Sequence, residues 1–254
     1  MRRPHSSEFQ DRANFRIYTA REIMTTIASN LQAMRTAMTE AASSAGRHEG
    51  QFSLLAVSKS FTTQDIREAF HAGQTCFAES YAQEAQGKIE ALKDLPIEWH
   101  FIGPIQSNKT RPIAENFAWV HSVDRLKIAE RLSEQRPSYL PPLQVCLQVN
   151  ISGETTKSGV RPDEISVLAL AIDKLPRLRL RGLMAIPTPC DDLSAQRVPF
   201  AKLRELRNKL ILLGLQLDTL SMGMSHDFGA AIAEGATIVR IGTAIFGRRI
   251  HKVT

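Results

Sequence analysis

Residues 53–60, S-L-L-A-V-S-K-S, determine how the rest of the chain is interpreted. Residues 54–57 form a continuous apolar run of strand length, which is typical of a strand buried on both faces in a parallel sheet. Lys59 follows where this strand should end, and Thr62 then opens a segment with helix N-cap chemistry. A partly buried lysine at the carboxyl end of a barrel strand suits Schiff-base chemistry. A solvated lysine in a strand–helix loop is the alternative interpretation.

Seven further apolar runs follow Lys59, and longer amphipathic segments separate most of them. The runs are residues 75–79, 98–103, 118–123, 143–150, 177–186, 216–223 and 236–242. The helix candidates are residues 64–72, 81–92, 125–135, 162–175, 198–213 and 229–234. Eight strands alternating with helices predict an α/β fold, a single (β/α)8 TIM-type barrel. An open doubly wound sheet is the alternative, although no glycine-rich turn follows the first run.

An extra N-terminal helix is predicted before the first strand, from residue 18 to about residue 45. Its apolar positions recur at three- and four-residue steps: Ile23, Ile27, Leu31, Met34 and Met38. Residues 1–18 are polar and aperiodic, so we expect a disordered extension there. Residues 19–254 are then expected to form one barrel domain, and Met24 is an alternative start.

The composition argues against several classes of protein. The net charge is +6, but the basic residues are dispersed and do not alternate with aromatic residues, so no nucleic-acid surface is predicted. Cys76, Cys146 and Cys190 lie far apart, which predicts a reduced cytoplasmic protein without disulfides or a metal site. No apolar run reaches membrane-spanning length, and the first residues lack the apolar region of a signal peptide.

The last two apolar runs end in segments that resemble phosphate cradles. Residues 221–227 read S-M-G-M-S-H-D, and residues 240–243 read R-I-G-T. Backbone N–H groups at helix starts, together with hydroxyls, bind phosphate, and barrels often do so after strands 7 and 8. Ordinary helix capping is the alternative. A lysine after strand 1, beside the cradle after strand 8, matches the two ends of pyridoxal 5′-phosphate (PLP).

Arg240 lies within the last apolar run and is predicted to point into the barrel mouth. It either pairs with a carboxylate or faces the pyridine nitrogen of PLP. A permanently protonated guanidinium would keep that nitrogen unprotonated and restrain carbanion chemistry. His100 and His121 are interpreted as core histidines, with a catalytic role as the alternative. Lys157 is a second amine near the predicted rim.

Six motifs, in this order, resemble the pyridoxal phosphate homeostasis protein family: L-L-A-V-S-K, W-H-F-I-G-P-I-Q-S-N-K, Q-V-N-I-S-G-E-T-T-K-S-G, L-R-G-L-M-A-I-P, L-S-M-G-M-S-H-D and V-R-I-G-T-A-I-F-G. The resemblance covers about residues 24–249. It implies a barrel similar to that of alanine racemase, PLP on Lys59 as a Schiff base, and a non-catalytic role in intracellular vitamin B6 balance. The predicted cofactor contacts are Lys59, Met184, Ser221, Gly223, Ser225, Arg240, Gly242 and Thr243.

The chain departs from the usual family pattern at three positions. Ala78 and Ser80 stand where relatives typically have glycine and asparagine, and Phe61 stands where a second lysine is usual. These changes leave the lysine–phosphate frame intact, but they bear on cofactor affinity or release.

A PLP enzyme such as an amino-acid racemase is the alternative function. Racemization needs a second, opposed base, which alanine racemases take from a tyrosine of a further domain. We expect no such domain here, because the sequence ends soon after the eighth run. A phosphosugar enzyme with a Schiff-base lysine is a third reading. The expected partners are PLP and, as recipients, PLP-dependent apo-enzymes; we expect a monomer that binds neither nucleic acid nor membrane.

Overall fold

Eight parallel strands close into a barrel in chain order, and the first strand pairs with the last. The structure is a computed structural model that describes residues 26–154 and 158–247. The strands are β1 (Ser53–Val57), β2 (Cys76–Glu79), β3 (Glu98–Phe101), β4 (Trp119–Val123), β5 (Leu143–Gln148), β6 (Leu178–Met184), β7 (Thr219–Ser221) and β8 (Ile238–Ile241). With helices between the strands, this is a TIM barrel, and the predicted (β/α)8 fold is confirmed.

The helices lie between the strands, apart from α1, which precedes the barrel. They are α1 (Ile27–Ser44), α2 (Thr63–His71), α3 (Ala82–Ala91), α4 (Thr110–Asn116), α5 (Leu126–Gln135), α6 (Ile165–Ile172), α7 (Leu193–Leu212), α8 (Phe228–Ala233) and α9 (Thr243–Phe246). A 3₁₀ turn, Ser107–Lys109, leads into α4. No helix within the described ranges combines the length and the apolar character needed to cross a bilayer.

Two helices differ from the sequence prediction. The pattern does not predict α4, because this helix has seven residues and contains Pro112. The start of α7 lies five residues before the predicted position 198. Asp192 caps this helix by accepting a hydrogen bond from the Ala195 N–H at 2.6 Å, and Pro199 is accommodated inside it.

The extra helix α1 is present and covers part of the barrel wall. Thr26 caps it by accepting from the Ser29 N–H at 3.1 Å, and its buried face includes Leu31 and Met38. The Asn30 side-chain amide donates to the Ile245 carbonyl at 2.9 Å, which ties α1 to α9. The predicted extension at residues 1–18, with Ile23 and Met24, lies outside the described residues.

Alternating strand residues fill two separate apolar layers. Ala56 belongs to the larger layer between the sheet and the helices, whereas Leu55 and Val57 belong to the smaller one. Because side chains alternate between the two faces of a strand, the smaller layer is the barrel interior. Its buried members are Leu55, Val57, Ala78, Trp119, Cys146, Met184 and Ile238.

The strand register brings the carboxyl ends of β1 and β8 together at one end of the barrel. Leu55 of β1 lies opposite Arg240 of β8, and Ala56 lies opposite Ile241. Lys59 and Gly242, which follow these strands, therefore lie at the same carboxyl end.

Candidate functional site

A cavity of about 270 Å³ lies at the carboxyl ends of the strands. Its lining is Val57, Lys59, Phe61, Ser80, Ile102, Ile186, Met224, Ser225, His226, Arg240, Gly242 and Thr243. Five of the eight predicted contacts are among these residues: Lys59, Ser225, Arg240, Gly242 and Thr243. Two larger cavities, of about 400 and 640 Å³, have no lysine in their described lining, whereas this one joins a lysine at a strand end to the hydroxyls of Ser225 and Thr243. We call it the mouth cavity.

The other three predicted contacts, Met184, Ser221 and Gly223, do not line the mouth cavity. Met184 and Ser221 are fully buried. Gly223 has a φ of 92°, and its carbonyl accepts from the Arg240 N–H at 3.0 Å. A Cβ at position 223 would lie 2.6 Å from the Ala231 Cβ, so glycine is required where this loop crosses α8.

The loop that carries Lys59 is fixed from behind by α3. The buried Lys88 Nζ donates to the Ser58 carbonyl at 2.8 Å and to Glu84 Oε1 at 2.6 Å. The same Glu84 oxygen accepts from the Ser60 N–H at 2.7 Å. Ser60 has a φ of 69°, an uncommon conformation for a residue other than glycine. Both neighbours of the half-buried Lys59 are thus held, which fixes the path of the backbone at this position.

The centre of this support is a buried carboxylate. Glu79 is fully buried; its Oε1 accepts from Ser58 Oγ at 2.6 Å and from Lys88 Nζ at 2.8 Å. Its other oxygen has no hydrogen-bond partner among the described residues. Burial raises the pKa of Glu79, while the Lys88 ammonium opposes that rise. Lys88 therefore offsets part of the cost of burying this carboxyl group.

Hydroxyls and backbone N–H groups line the mouth cavity beside β1, in the segments that follow β7 and β8. Thr243 opens α9, and the first N–H groups of a helix have no partner within that helix. Ser225 lies in the β7–α8 loop, which is braced by Asp227 Oδ1 accepting from the Met224 N–H at 2.6 Å. A Cβ at position 242 would lie 3.2 Å from the Val57 carbonyl oxygen, so Gly242 lets α9 begin close to β1. This donor set suits a phosphate group.

Arg240 supplies a fixed positive charge to the mouth cavity. It is 3% exposed, and its guanidinium donates to Ser221 Oγ at 2.8 Å and to the Ala185 carbonyl at 2.9 Å. Burial lowers the pKa of Arg240 to about 10, so it stays protonated at neutral pH. No carboxylate within the described ranges forms an ion pair with it, so the salt-bridge reading from the sequence is not realised there.

The two histidines considered in the sequence do not line the mouth cavity. His100 and His121 are buried, and His100 Nδ1 lies 2.9 Å from His121 Nε2. Burial lowers the pKa of both imidazoles, that of His121 well below its usual value. This placement agrees with their interpretation as core histidines. The second amine, Lys157, lies outside the described residues.

Two of the three unusual positions lie at the mouth cavity. Ser80 and Phe61 line it, and the Phe61 ring stacks on that of Phe246 with centroids 4.9 Å apart. Ala78 is buried in the barrel interior. The cavity is also lined by Ile102 and Ile186, which lie just beyond strand ends; neither was predicted as a contact, because an apolar residue at a strand end resembles an ordinary core residue.

Comparison with known proteins identifies the family. The alanine racemase N-terminal domain family matches residues 24–249. The pyridoxal phosphate homeostasis protein of Pseudomonas aeruginosa is 62% identical over 226 residues, which cover 89% of this chain and 97% of that protein. The chain belongs to the pyridoxal phosphate homeostasis protein family. The protein of that name from Escherichia coli is 50% identical, over 89% of this chain and 98% of that one. The resemblance drawn from the six motifs is confirmed.

Solved structures with the same barrel fold include a PLP-bound relative and an alanine racemase. PipY of Synechococcus elongatus, solved with PLP bound, has a TM-score of 0.76 and 36% identity, and the match covers 87% of this chain and 100% of PipY. Alanine racemase of Corynebacterium glutamicum has a TM-score of 0.65 at 18% identity, and the match covers 90% of this chain but 62% of the racemase. This second likeness shows a shared fold.

Proposed function

We propose that the protein binds PLP in the mouth cavity as a Schiff base on Lys59, without catalysing a reaction, and acts in intracellular vitamin B6 homeostasis. The observation that carries the proposal is that one cavity is lined by Lys59, by Arg240 and by the two hydroxyl residues Ser225 and Thr243. The names of the close relatives and the PLP bound to PipY support it.

Each group of the mouth cavity has a role in this proposal. The Lys59 amine would hold the cofactor through its aldehyde carbon, with release of one water molecule. Ser225, Thr243 and the N–H groups that follow Gly242 hold the phosphate. Arg240 would hold the ring-nitrogen end of the cofactor and oppose protonation of that nitrogen, because a guanidinium donates hydrogen bonds and does not give up its proton at neutral pH.

The non-catalytic part of the proposal follows from the lining of the cavity. A racemase needs a base on each face of the cofactor. Tyr81 and Tyr139 are exposed and do not line the cavity, and the described lining residues include no tyrosine and no carboxylate that could act as an opposed base. A ring nitrogen beside Arg240 also makes PLP a weak electron sink. A PLP enzyme such as a racemase therefore remains the less favoured alternative.

The experiment that tests the proposal is PLP titration followed by absorbance, then borohydride reduction and peptide mapping. We expect visible absorbance on binding and a pyridoxyl adduct on Lys59. Lys59→Arg keeps the charge but removes the reactive amine, so it should bind PLP without the adduct. An adduct found only on Lys157 would refute the assignment of Lys59. Racemase, decarboxylase or transaminase turnover of about 1 per second or more would refute the non-catalytic role.

The proposal also includes a cytoplasmic location, a monomeric state and PLP-dependent apo-enzymes as recipients. Mixing the PLP-loaded protein with an apo-enzyme should restore that enzyme's activity faster than release of PLP into solution allows. Equal rates would exclude direct transfer. Size-exclusion chromatography with light scattering should give the mass of one chain.

A further inference from the structure

A chain of hydrogen bonds runs through the barrel interior from the mouth cavity to the opposite end. Arg240 Nη1 donates to Ser221 Oγ at 2.8 Å, and that oxygen lies 2.7 Å from His121 Nδ1. His121 Nε2 lies 2.9 Å from His100 Nδ1, and His100 Nε2 lies 2.9 Å from Glu98 Oε1. We call these five residues the buried chain. Four of them are at most 3% exposed.

The buried chain ends at a second cavity. Glu98 is the first residue of β3, and its side chain is 48% exposed. It lines a cavity of about 640 Å³ at the amino ends of the strands, together with Trp119, Arg181 and Glu115. Glu98 is absent from the described lining of the mouth cavity.

The carboxylate end of the buried chain sets the direction of its hydrogen bonds, and the guanidinium end is compatible with that direction. A guanidinium can only donate, so the Ser221 oxygen accepts from Arg240 and its hydroxyl proton is available to His121 Nδ1. A carboxylate can only accept, so His100 donates through Nε2 and, when neutral, accepts through Nδ1. His121 must then donate through Nε2 and accept at Nδ1 from Ser221. Every link therefore points from Arg240 towards Glu98, and the carboxylate sets this direction because it cannot donate.

Neighbouring groups hold the far end of the buried chain in place. The His100 ring stacks on the Trp119 ring, with centroids 5.5 Å apart and 4° between the planes. The Arg181 guanidinium covers the Trp119 ring at 4.9 Å. The hydrogen bond from His100 keeps the pKa of Glu98 below its usual value, so this residue remains an acceptor at neutral pH.

We propose that Glu98, His100, His121 and Ser221 are positioning residues that orient the Arg240 guanidinium in the mouth cavity from the opposite end of the barrel. One consequence of this inference is that PLP affinity depends on Glu98, and this consequence alone rests on the proposed PLP function. The direction of the hydrogen bonds is a property of the protein without cofactor.

Histidine NMR tests the direction without PLP. Long-range ¹H–¹⁵N spectra of the whole chain at pH 7.5 should show His100 and His121 as neutral rings with the proton on Nε2. Glu98→Ala removes the terminal acceptor and should change the signals of both rings. Glu115→Ala is the matched control, because this 40%-exposed acid lines the same cavity but lies outside the buried chain. A proton on Nδ1 of either ring in the wild type would overturn the proposal.

PLP titration tests the consequence. Loss of one hydrogen bond is expected to weaken PLP binding about threefold to tenfold in Ser221→Ala and in Glu98→Ala. Glu98→Gln keeps an acceptor oxygen and should restore near wild-type affinity, which a general loss of packing would not explain. Glu115→Ala should bind like the wild type. If Glu98→Ala and Glu115→Ala bind PLP equally, the proposal is wrong. If the wild type fails to bind PLP, the proposed function fails, whereas the NMR result still stands.

Discussion

Arg240 is the residue whose surroundings decide what chemistry a cofactor in the mouth cavity would support. Its two hydrogen bonds, to Ser221 and to the Ala185 carbonyl, restrict the guanidinium to one plane. With a pKa of about 10, it is charged at every pH near neutrality. A cation held in this way opposes protonation of a neighbouring pyridine nitrogen, which is the protonation that carbanion-forming PLP enzymes use.

Arg240→Glu should therefore allow the pyridine nitrogen of bound PLP to become protonated. A carboxylate favours the protonated ring nitrogen, and we expect α-proton exchange of added amino acids to rise roughly tenfold, which corresponds to about 1.4 kcal/mol. Deuterium exchange followed by NMR, at saturating PLP and measured occupancy, would record it. Arg240→Gln is the control, since it removes the charge without adding a carboxylate. Unchanged exchange at equal occupancy would leave Arg240 with a structural role.

Lys88 is predicted to be essential for stability. Lys88→Met would leave Glu79 buried without its cation, at a cost of about 3–5 kcal/mol in the free energy of unfolding. Lys93→Met is the matched control, because the pair between Lys93 and Glu90 is exposed and should change little. Urea unfolding measures both. Adding Glu79→Gln to Lys88→Met should recover part of the loss; without recovery, the buried charge is not the cause.

At the scale of elements, the β7–α8 loop depends on one glycine. Gly223→Ala would require a positive φ and place its Cβ 2.6 Å from the Ala231 Cβ, so we expect about 1–3 kcal/mol of destabilisation. Gly229→Ala in α8 meets nothing within 4 Å and should be neutral or slightly stabilising. Thermal unfolding of the two variants compares them. PLP affinity should also fall in Gly223→Ala, since its backbone holds Arg240.

The pattern of strands was predictable because buried parallel strands are short, continuous apolar runs. Lys59, Ser225 and Arg240 were also predictable as cavity residues, because the carboxyl ends of the strands in a closed barrel converge. The role of Lys88 was not, because a lysine on an amphipathic helix normally lies in solvent. The contact between His121 and Ser221 joins residues 100 positions apart, and only the strand register reveals it.

For the whole molecule, acid should reduce stability through the buried histidines. Burial lowers the pKa of His100 and His121, so below about pH 6.5 the unfolded chain takes up protons that the folded chain does not. The free energy of unfolding should then fall with decreasing pH, by up to about 1.4 kcal/mol per pH unit for each histidine. Above about pH 6.5, the stability that depends on these two neutral histidines is fully present.

Urea unfolding at pH 7.5 and 5.5 checks this dependence. His121→Phe should lower stability at pH 7.5 but reduce the difference between the two pH values. His48→Phe, which changes an exposed histidine, is the control. If His121→Phe keeps the full wild-type difference, His121 does not contribute to the acid sensitivity.

A chain that starts at Met24 should keep the fold and the affinity for PLP. The family match begins at residue 24, and the first described helix is capped at Thr26. We expect a melting temperature within about 2 °C of the full chain, since a difference below about 0.5 kcal/mol shifts it little. A larger drop, or weaker PLP binding, would show that residues before Met24 contribute to the domain.

The pairing of β1 with β8 also has a consequence for how the protein is made. Lys59 leaves the ribosome early, whereas Arg240 and Thr243 leave it near the end of synthesis. Until β8 is released, β1 has an open edge, and the lysine has neither the cation nor the helix start beside it. A nascent chain that still lacks β8 therefore has only part of the site that we propose for PLP, and it cannot hold the cofactor as the complete barrel would. Bound PLP would mark only those molecules whose synthesis is complete and whose ring has closed.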